Sequence, residues 1–353
     1  MKKRMIGLAL LVVIMLVTGG IYMAAGRTPQ IITVDGYVGG EKIELLEDEE
    51  VQAILEEDYG VKADYSRAGS LDMMTADMDG MDYLFPSSSI AEEYYEDLHG
   101  SPEQSEIVLN TPIVLYTHQA VLDAFDSQGL ITSSGNSYYI DMTKLVELIR
   151  NDTSWADIGL PELYGNISVD TTDPARSNSG NMFAALLANV LNGGQTLTQE
   201  NLQTILPQLQ DIFGKLGYME TSSSDLFSQF LRMGIGAKPV IAGYESQLIE
   251  YAALYPDQYE TMKDDIVMLY PTPTVWSTHV FIALDADGQV LLNGLLDEDI
   301  QRLAWEKHGF RTGNYTTVSE SGSLNAQGVA DTITQVTQVP SYDVMKEIIE
   351  QLQ

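Results

Sequence analysis

Cysteine is absent from all 353 residues. That excludes disulfides, cysteine-ligated zinc and thiol nucleophiles together. It also excludes anchoring through a lipid-modified cysteine. Positive charge is scarce: 18 Lys and Arg stand against 51 Asp and Glu, for a formal net charge of -33. Three of the basic residues, Lys2, Lys3 and Arg4, lie in a first stretch of 26 residues that holds no acid, so the remainder has 15 basic against 51 acidic residues. A nucleic-acid partner needs a basic stripe, and none is left to form one. The excess of carboxylates reads as a solvated, soluble surface. Histidine is equally sparse. His99, His118, His279 and His308 form no H-x-x-x-H pair, so no zinc site is expected.

Motifs that announce chemistry are missing too. There is no G-x-S-x-G elbow, no Ser three residues before a Lys, no P-loop and no G-x-G-x-x-G. Two Asp-rich stretches fail as calcium loops. For Asp77-Met78-Asp79-Gly80 the first and twelfth loop positions fall on Thr75 and Pro86; for Asp285-Ala286-Asp287-Gly288 the first falls on Ala283. Both read as solvated turns. The sequence points to no enzyme, no metal and no cofactor.

What is present begins at the N-terminus. Lys2-Lys3-Arg4 precedes an uncharged stretch from Met5 to Gly26 with an apolar centre at residues 8–17. A positive start followed by an apolar run is an export signal. The stretch is also long enough to cross a bilayer as a helix. Residues 1–27 are therefore expected to be a signal peptide or a signal anchor, with the rest outside the cytoplasm.

After Arg27, short β-rich runs alternate with helical patterns. Strands are expected at 31–34, 61–65, 82–85, 112–116, 166–169, 239–242, 267–269 and 280–284. Helices are expected around Val51 to Leu55, Ile90 to Tyr94, Leu145 to Ile149, Phe183 to Leu191, 202–216, 225–233, 298–308 and 342–352. The alternation predicts an α/β fold with a mainly parallel sheet covered on both faces. The Ser-, Gly- and Thr-rich stretch 316–330 is expected to be an exposed loop.

Four polar loops follow predicted strands and precede helices: Gly39-Gly40-Glu41-Lys42, Gly69-Ser70, Ser87-Ser88-Ser89 and Arg176-Ser177-Asn178-Ser179. A helix N-terminus presents unpaired N–H groups and a partial positive charge, so such loops suit an anion. Taken singly, each also reads as an ordinary helix cap. As a group they fall where α/β sheets gather ligands.

The order of these segments resembles bacterial extracellular solute-binding proteins of the type II periplasmic-binding fold, nearest to the molybdate and sulfate binders. The residues that carry the likeness are Ala68-Gly69-Ser70-Leu71 with Asp82 and Pro86-Ser87-Ser88-Ser89, then Asp173-Pro174-Ala175-Arg176-Ser177-Asn178-Ser179-Gly180-Asn181. Tyr270-Pro271-Thr272-Pro273-Thr274-Val275, His279-Val280-Phe281-Ile282 and Trp305-Glu306-Lys307-His308-Gly309-Phe310-Arg311 complete it. The resemblance implies two α/β lobes joined by two hinge crossings, near Thr117 and near 270–274. Lobe I would hold 28–116 plus 275–353, and lobe II 117–274. It implies a monomer that binds a small solute, an oxyanion or another small anion, between the lobes and delivers it to an ABC-type permease. The missing lipid-modified cysteine leaves room for a membrane-anchored sensor or envelope assembly component on the same fold.

By the same resemblance Ser70 and Ser87 or Ser88 would donate from the first lobe, facing Arg176, Ser177, Asn178 and Ser179. Tyr244 and Glu245 would sit on a further loop aimed at the cleft, and Gly39, Gly40, Glu41 and Lys42 would complete the site. Glu41 and Glu245 would repel an oxyanion if both pointed inward, in which case the ligand would carry an amine or a bound cation.

Overall fold

The computed structural model describes residues 31–312 and 324–352. Its ten strands form one mixed sheet with the order β2-β1-β3-β9-β4-β8-β6-β5, and β7 and β10 also pair with β4. The first part contains β1 (Ile32–Val38), β2 (Val61–Arg67) and β3 (Tyr83–Phe85), with β9 (Trp276–Ala283) and β10 (Arg311–Thr312). The second contains β5 (Ile131–Ser134), β6 (Ser137–Asp141), β7 (Val240–Tyr244) and β8 (Ile266–Thr272).

The strand β4 (Gln104–His118) belongs to both parts. Its N-terminal portion, residues 104–112, pairs with β9; residues 113–118 pair with β7 and β8 instead. The first passage between the two parts therefore lies within an unbroken strand, several residues earlier than Thr117. The return passage runs from the end of β8 at Thr272 to the start of β9 at Trp276.

The expectation of a mainly parallel sheet is corrected. Among the described residues, parallel strand pairing is confined to β1 with β2, β1 with β3 and β6 with β8. The pairs β3–β9, β4–β9, β4–β7, β4–β8, β4–β10 and β5–β6 are antiparallel. A chain that enters the second part on one strand and leaves on a neighbour runs the two in opposite directions. Helical crossovers, which enforce parallel pairing, serve only the local βαβ steps. Residues 166–169 are also not a strand. Of these only Asn166 makes an isolated bridge, to Ser154, and Asp170 just beyond them bridges to Ile241.

Each element follows from its sequence. The helix Glu49–Ile54 is capped by Asp48, whose carboxylate accepts the Glu50 and Val51 N–H groups, and its π-helical extension stops at Gly60 in the left-handed region. Asp285 does not sit in a free turn. Its carboxylate accepts the Asp287 and Gly288 N–H groups and caps the helix Ala286–Leu295. The helix Asn178–Leu191 is buried from Ser179 to Val190. An apolar helix of this kind is dry on every side, and here it is the centre of the larger core, with Leu145, Ile149, Leu202, Leu206 and Leu209 around it.

Gly180 marks how tightly this helix is seated. A Cβ there would lie 2.1 Å from the Thr172 carbonyl oxygen. Gly180→Ala is expected to cost about 1–3 kcal/mol of stability, because backbone has to shift. A chemical denaturation midpoint equal to that of the parent would contradict this.

Residues 324–352, expected in the first lobe, have neighbours in both parts: Tyr342 stacks on Tyr94 with ring centroids 4.5 Å apart, and its N–H donates to Glu93. Residues Ala326, Val329 and Ala330 pack with Val114, Tyr116 and Met268 of the second part. The helix Tyr342–Gln351 places Val344, Met345 and Ile348 in the core around the helix Asn178–Leu191. The expected N-terminal helix lies outside the described residues. Among the described residues no helix is long and apolar enough to cross a membrane.

Candidate functional site

The loops at the C-terminal ends of β1 and β2 meet those of the second part across a cleft of about 340 Å³. From the first part it is lined by Gly39, Gly40, Glu41, Arg67, Gly69 and Ser70. From the second come Arg176, Ser177, Asn178, Thr221, Ser222 and Ser223, with Asp225 at the edge. A smaller extension lies between Ser70 to Asp72 and Pro174 to Asn178. Here the Gly69 position is within 3.5 Å of the Arg176 carbonyl when a Cβ is built on it.

Two arginines line this space. Arg67 extends from the end of β2, lies against Gly40 and donates from Nη2 to Ser222 Oγ at 2.7 Å. Arg176 is exposed along the cleft wall. Ser177 and Ser222 precede the helices Asn178–Leu191 and Ser223–Met233. Ser177 makes no cap bond to its helix, and its hydroxyl pairs with Ser179 Oγ at 3.1 Å. The first-turn amides of that helix thus lack a capping side chain, and a helix N-terminus in that condition suits negative charge.

Asn178 joins the parts. Its Nδ2 donates to the Ser87 carbonyl at 2.8 Å, to the Tyr244 hydroxyl at 3.0 Å and to Ser277 Oγ at 3.1 Å. Ser277 Oγ also donates to the Ser87 carbonyl at 2.7 Å. Tyr244 is buried, and burial pushes its phenol well above the usual range. Ser179 pairs with Thr172 Oγ1 at 2.7 Å.

Lys42 and Ser87 are not free to meet a ligand as expected. Lys42 is fully buried and donates from Nζ to Glu41 Oε1 at 2.5 Å, Ser87 Oγ at 2.7 Å and His279 Nδ1 at 3.2 Å. Three ammonium protons meet three acceptors, and the Phe85 ring centroid lies 4.9 Å away. Ser87 is fully buried, with its hydroxyl on Glu41 and its N–H donating to Ser70 Oγ at 2.9 Å. Ser88 is a helix cap, accepting the Ile90 N–H at 3.1 Å.

Burial alone would raise the Glu41 carboxyl. The Lys42 ammonium and the Ser87 hydroxyl overcome this and hold it at about 2. Burial pulls the Lys42 ammonium below its ordinary value against the pull of Glu41, and drives His279 well below the imidazole range, so His279 is neutral. Glu41, with a side chain 11% exposed, is the edge of this cluster that borders the cleft.

Glu245 points away from the cleft, which corrects its expected place. It is fully buried, and Arg311 donates to it from Nε at 2.6 Å and from Nη2 at 2.8 Å. Tyr270 donates a third bond. Arg311 also reaches the Ala330 carbonyl and lies 5.0 Å from the Trp305 ring centroid. The second of the two expected repulsive carboxylates is therefore a core ion pair.

Arg67, Thr221, Ser222, Asp225, Ser277 and His279 were missed as site residues. Ser222-Ser223-Ser224-Asp225 before Leu226 and Phe227 carries a readable capping signal. Arg67 closes a strand and had a local signal only as the start of the Gly69-Ser70 loop. Ser277 and His279 reach the cluster through sheet pairing, which leaves no local mark. Among the described residues no group of acidic and histidine side chains has the arrangement of a metal site.

No family model matches the chain, and no curated protein matches it. Solved structures do. The sulfate-binding protein SubI of Mycobacterium tuberculosis superposes with a TM-score of 0.58 at 14% identity, covering 89% of this chain and 95% of that one. The fructose-6-phosphate-bound periplasmic binding protein AfuA of Actinobacillus pleuropneumoniae gives 0.56 at 13% identity, covering 91% and 96%. The apo ferric ion-binding protein A of Pasteurella haemolytica gives 0.57 at 13% identity, covering 91% and 97%. With this mixed sheet, a strand shared by both parts and a polar cleft between them, the chain has the fold of the type II solute-binding proteins.

Proposed function

We propose that this protein is a non-enzymatic extracytoplasmic binder of a small anionic solute, held between two lobes and passed to an ABC-type permease. The supporting observation is the cleft itself. Arg67 reaches it from the first part and Arg176 from the second, and the helix Asn178–Leu191, whose N-terminus has no side-chain cap, starts on its lining. The structures that share the fold include a sulfate-binding protein, a fructose-6-phosphate-bound protein and a ferric ion-binding protein. That range agrees with a binding role and leaves the ligand to this chain's own residues.

In this reading lobe I is the part built on β1, β2, β3 and β9, and lobe II the part built on β5 to β8 with the C-terminal helix. Ligand contacts drawn from both lobes exist only in the closed state, so the ligand shifts the opening equilibrium toward closure. The chain would be monomeric and held outside the cytoplasm by its N-terminal segment or released by its cleavage.

The test is Arg67→Ala combined with Arg176→Ala. Hydrogen bonds to charged groups are worth about 1.5–3 kcal/mol each, so affinity for an anionic ligand should fall about a hundredfold or more. Binding is read by calorimetry, and folding by circular dichroism. A folded double variant with parental affinity would refute the cleft as the site.

A further inference from the structure

Residues 335–337 run beside the return passage between the parts. Thr274 donates its N–H to the Gln335 carbonyl at 2.9 Å, and its own carbonyl accepts the Thr337 N–H at 2.9 Å. Val336 and Thr274 form a parallel bridge. Thr274 is fully buried and is tied to the other passage as well. Its hydroxyl donates to the Ile113 carbonyl at 2.6 Å, and the Ile113 N–H donates to the Val275 carbonyl at 3.0 Å. Three stretches of backbone thus lie side by side where the chain changes parts. Two such stretches can twist against each other, but a third paired along one of them has to twist too.

The third stretch is held at both ends. On one side, Asn189 of the helix Asn178–Leu191 donates from Nδ2 to Thr337 Oγ1 at 3.2 Å and to the Gln338 carbonyl at 2.8 Å. On the other, the Tyr342 ring lies on the Tyr94 ring with an interplanar angle of 15°, and the Tyr342 N–H donates to Glu93 Oε2 at 2.9 Å. Tyr94 and Glu93 belong to the helix Ser89–His99, whose Ala91 and Tyr95 pack with Leu84, Val280 and Ile282 of the first part. The helix that Tyr342 opens is rooted in the core of the second part through Val344, Met345 and Ile348. The stacked rings are therefore a contact between the parts.

We infer that residues 335–342 are a strap that holds the two parts in the arrangement seen here, with Tyr342 on Tyr94 as its releasable contact. This rests on the two-lobed reading above. When the parts swing about the passages, the helix of the first part turns away from the helix of the second, so the stacked rings have to separate. The pairing of 335–337 with Thr274 stays with the passages and keeps the strap in register for closing again. The strap thus biases the opening equilibrium before any ligand arrives. Loosening it lowers the closed fraction, and with it the apparent affinity of anything that binds the closed form.

Because the chain has no cysteine, two can be introduced as the sole labelling sites. Lys62→Cys in the first part and Ser224→Cys in the second are both at exposed positions. Spin labels on this pair in the full chain, read by pulsed electron resonance, give the distribution of distances between the parts. Tyr342→Ala should raise the open-to-closed ratio about two- to tenfold, the factor an aromatic pair supplies. Tyr94→Ala should do the same from the other side, and it decides alone if Tyr342→Ala fails to fold by circular dichroism. Tyr342→Phe keeps the stacked ring and should keep the parental distribution. Folded alanine variants with the parental distribution would overturn the inference, and so would a Tyr342→Phe variant that opens as far as Tyr342→Ala. Arg67→Ala with Asn178→Ala removes the bonds across the cleft to Ser222, Ser87 and Ser277 and should also open the molecule. If that pair opens it and the tyrosine variants do not, the strap fails and the two-lobed reading stands. If no variant changes the distances, both fail.

Discussion

Glu245→Gln is expected to lower the unfolding free energy by about 3–5 kcal/mol, the usual cost of stripping one partner from a buried ion pair. The carboxylate is fully buried and takes two bonds from Arg311 and one from Tyr270. Once it is neutral, the Arg311 guanidinium remains inside with the Ala330 carbonyl and the Trp305 face as its surroundings. Neither carries a compensating charge. The second change, Arg311→Met, should restore much of the loss, since an apolar pair of similar volume removes the stranded ion. Urea titration reads both, with the midpoint moving and the slope constant if the native fold is kept. A single variant within about 0.5 kcal/mol of the parent, the range of ordinary surface changes, would show that the pair is not what holds this corner together.

Lys42→Met should produce a loss of similar size, about 3–5 kcal/mol at neutral pH, with a distinctive dependence on acid. In the parent, the Glu41 carboxyl is held at about 2, below its ordinary 4.5. Its contribution is complete above about 4.5 and fades as pH falls through about 2. Without the ammonium, burial acts unopposed and raises the carboxyl above its ordinary value. The variant then escapes its penalty by taking up a proton. The stability difference between parent and Lys42→Met should therefore shrink steadily from pH 7 toward pH 3. Protonation of His279 beside the unpaired carboxylate would act in the same direction. Glu41→Gln added to Lys42→Met should recover most of the loss at pH 7. A difference that stays constant or grows in acid would mean that the ion pair is not the source of the effect.

These two clusters also show what the sequence made legible. Strand and helix identities followed from local periodicity, because each buried stripe is written within a dozen residues. The run from Phe183 to Val190 is the clearest case. Loops ahead of helices were equally visible, and Gly39, Gly40, Ser70, Arg176, Ser177 and Asn178 do line one cleft. The fate of each polar side chain was not legible. Glu41 and Glu245 each stand beside a helix start, yet one borders the cleft and the other is sealed in the core. The difference is made by Lys42 in one case and by Arg311, 66 residues away in the chain, in the other. Sheet direction was hidden for the same reason. The antiparallel partners of β4 come from residues 240–244, 266–272, 276–283 and 311–312, a relation set by the passages between the parts.

The last helix has a consequence for how the molecule is made. The larger core draws on Ile113 and Leu115, on the helices between 142 and 214, and on Val344, Met345 and Ile348. Its members thus span more than two hundred positions of the polypeptide. Closing loops of that length comes late in folding, and an incomplete core leaves apolar surface open meanwhile. The second part cannot be finished while the chain is still emerging, so its maturation waits for the C-terminus to arrive.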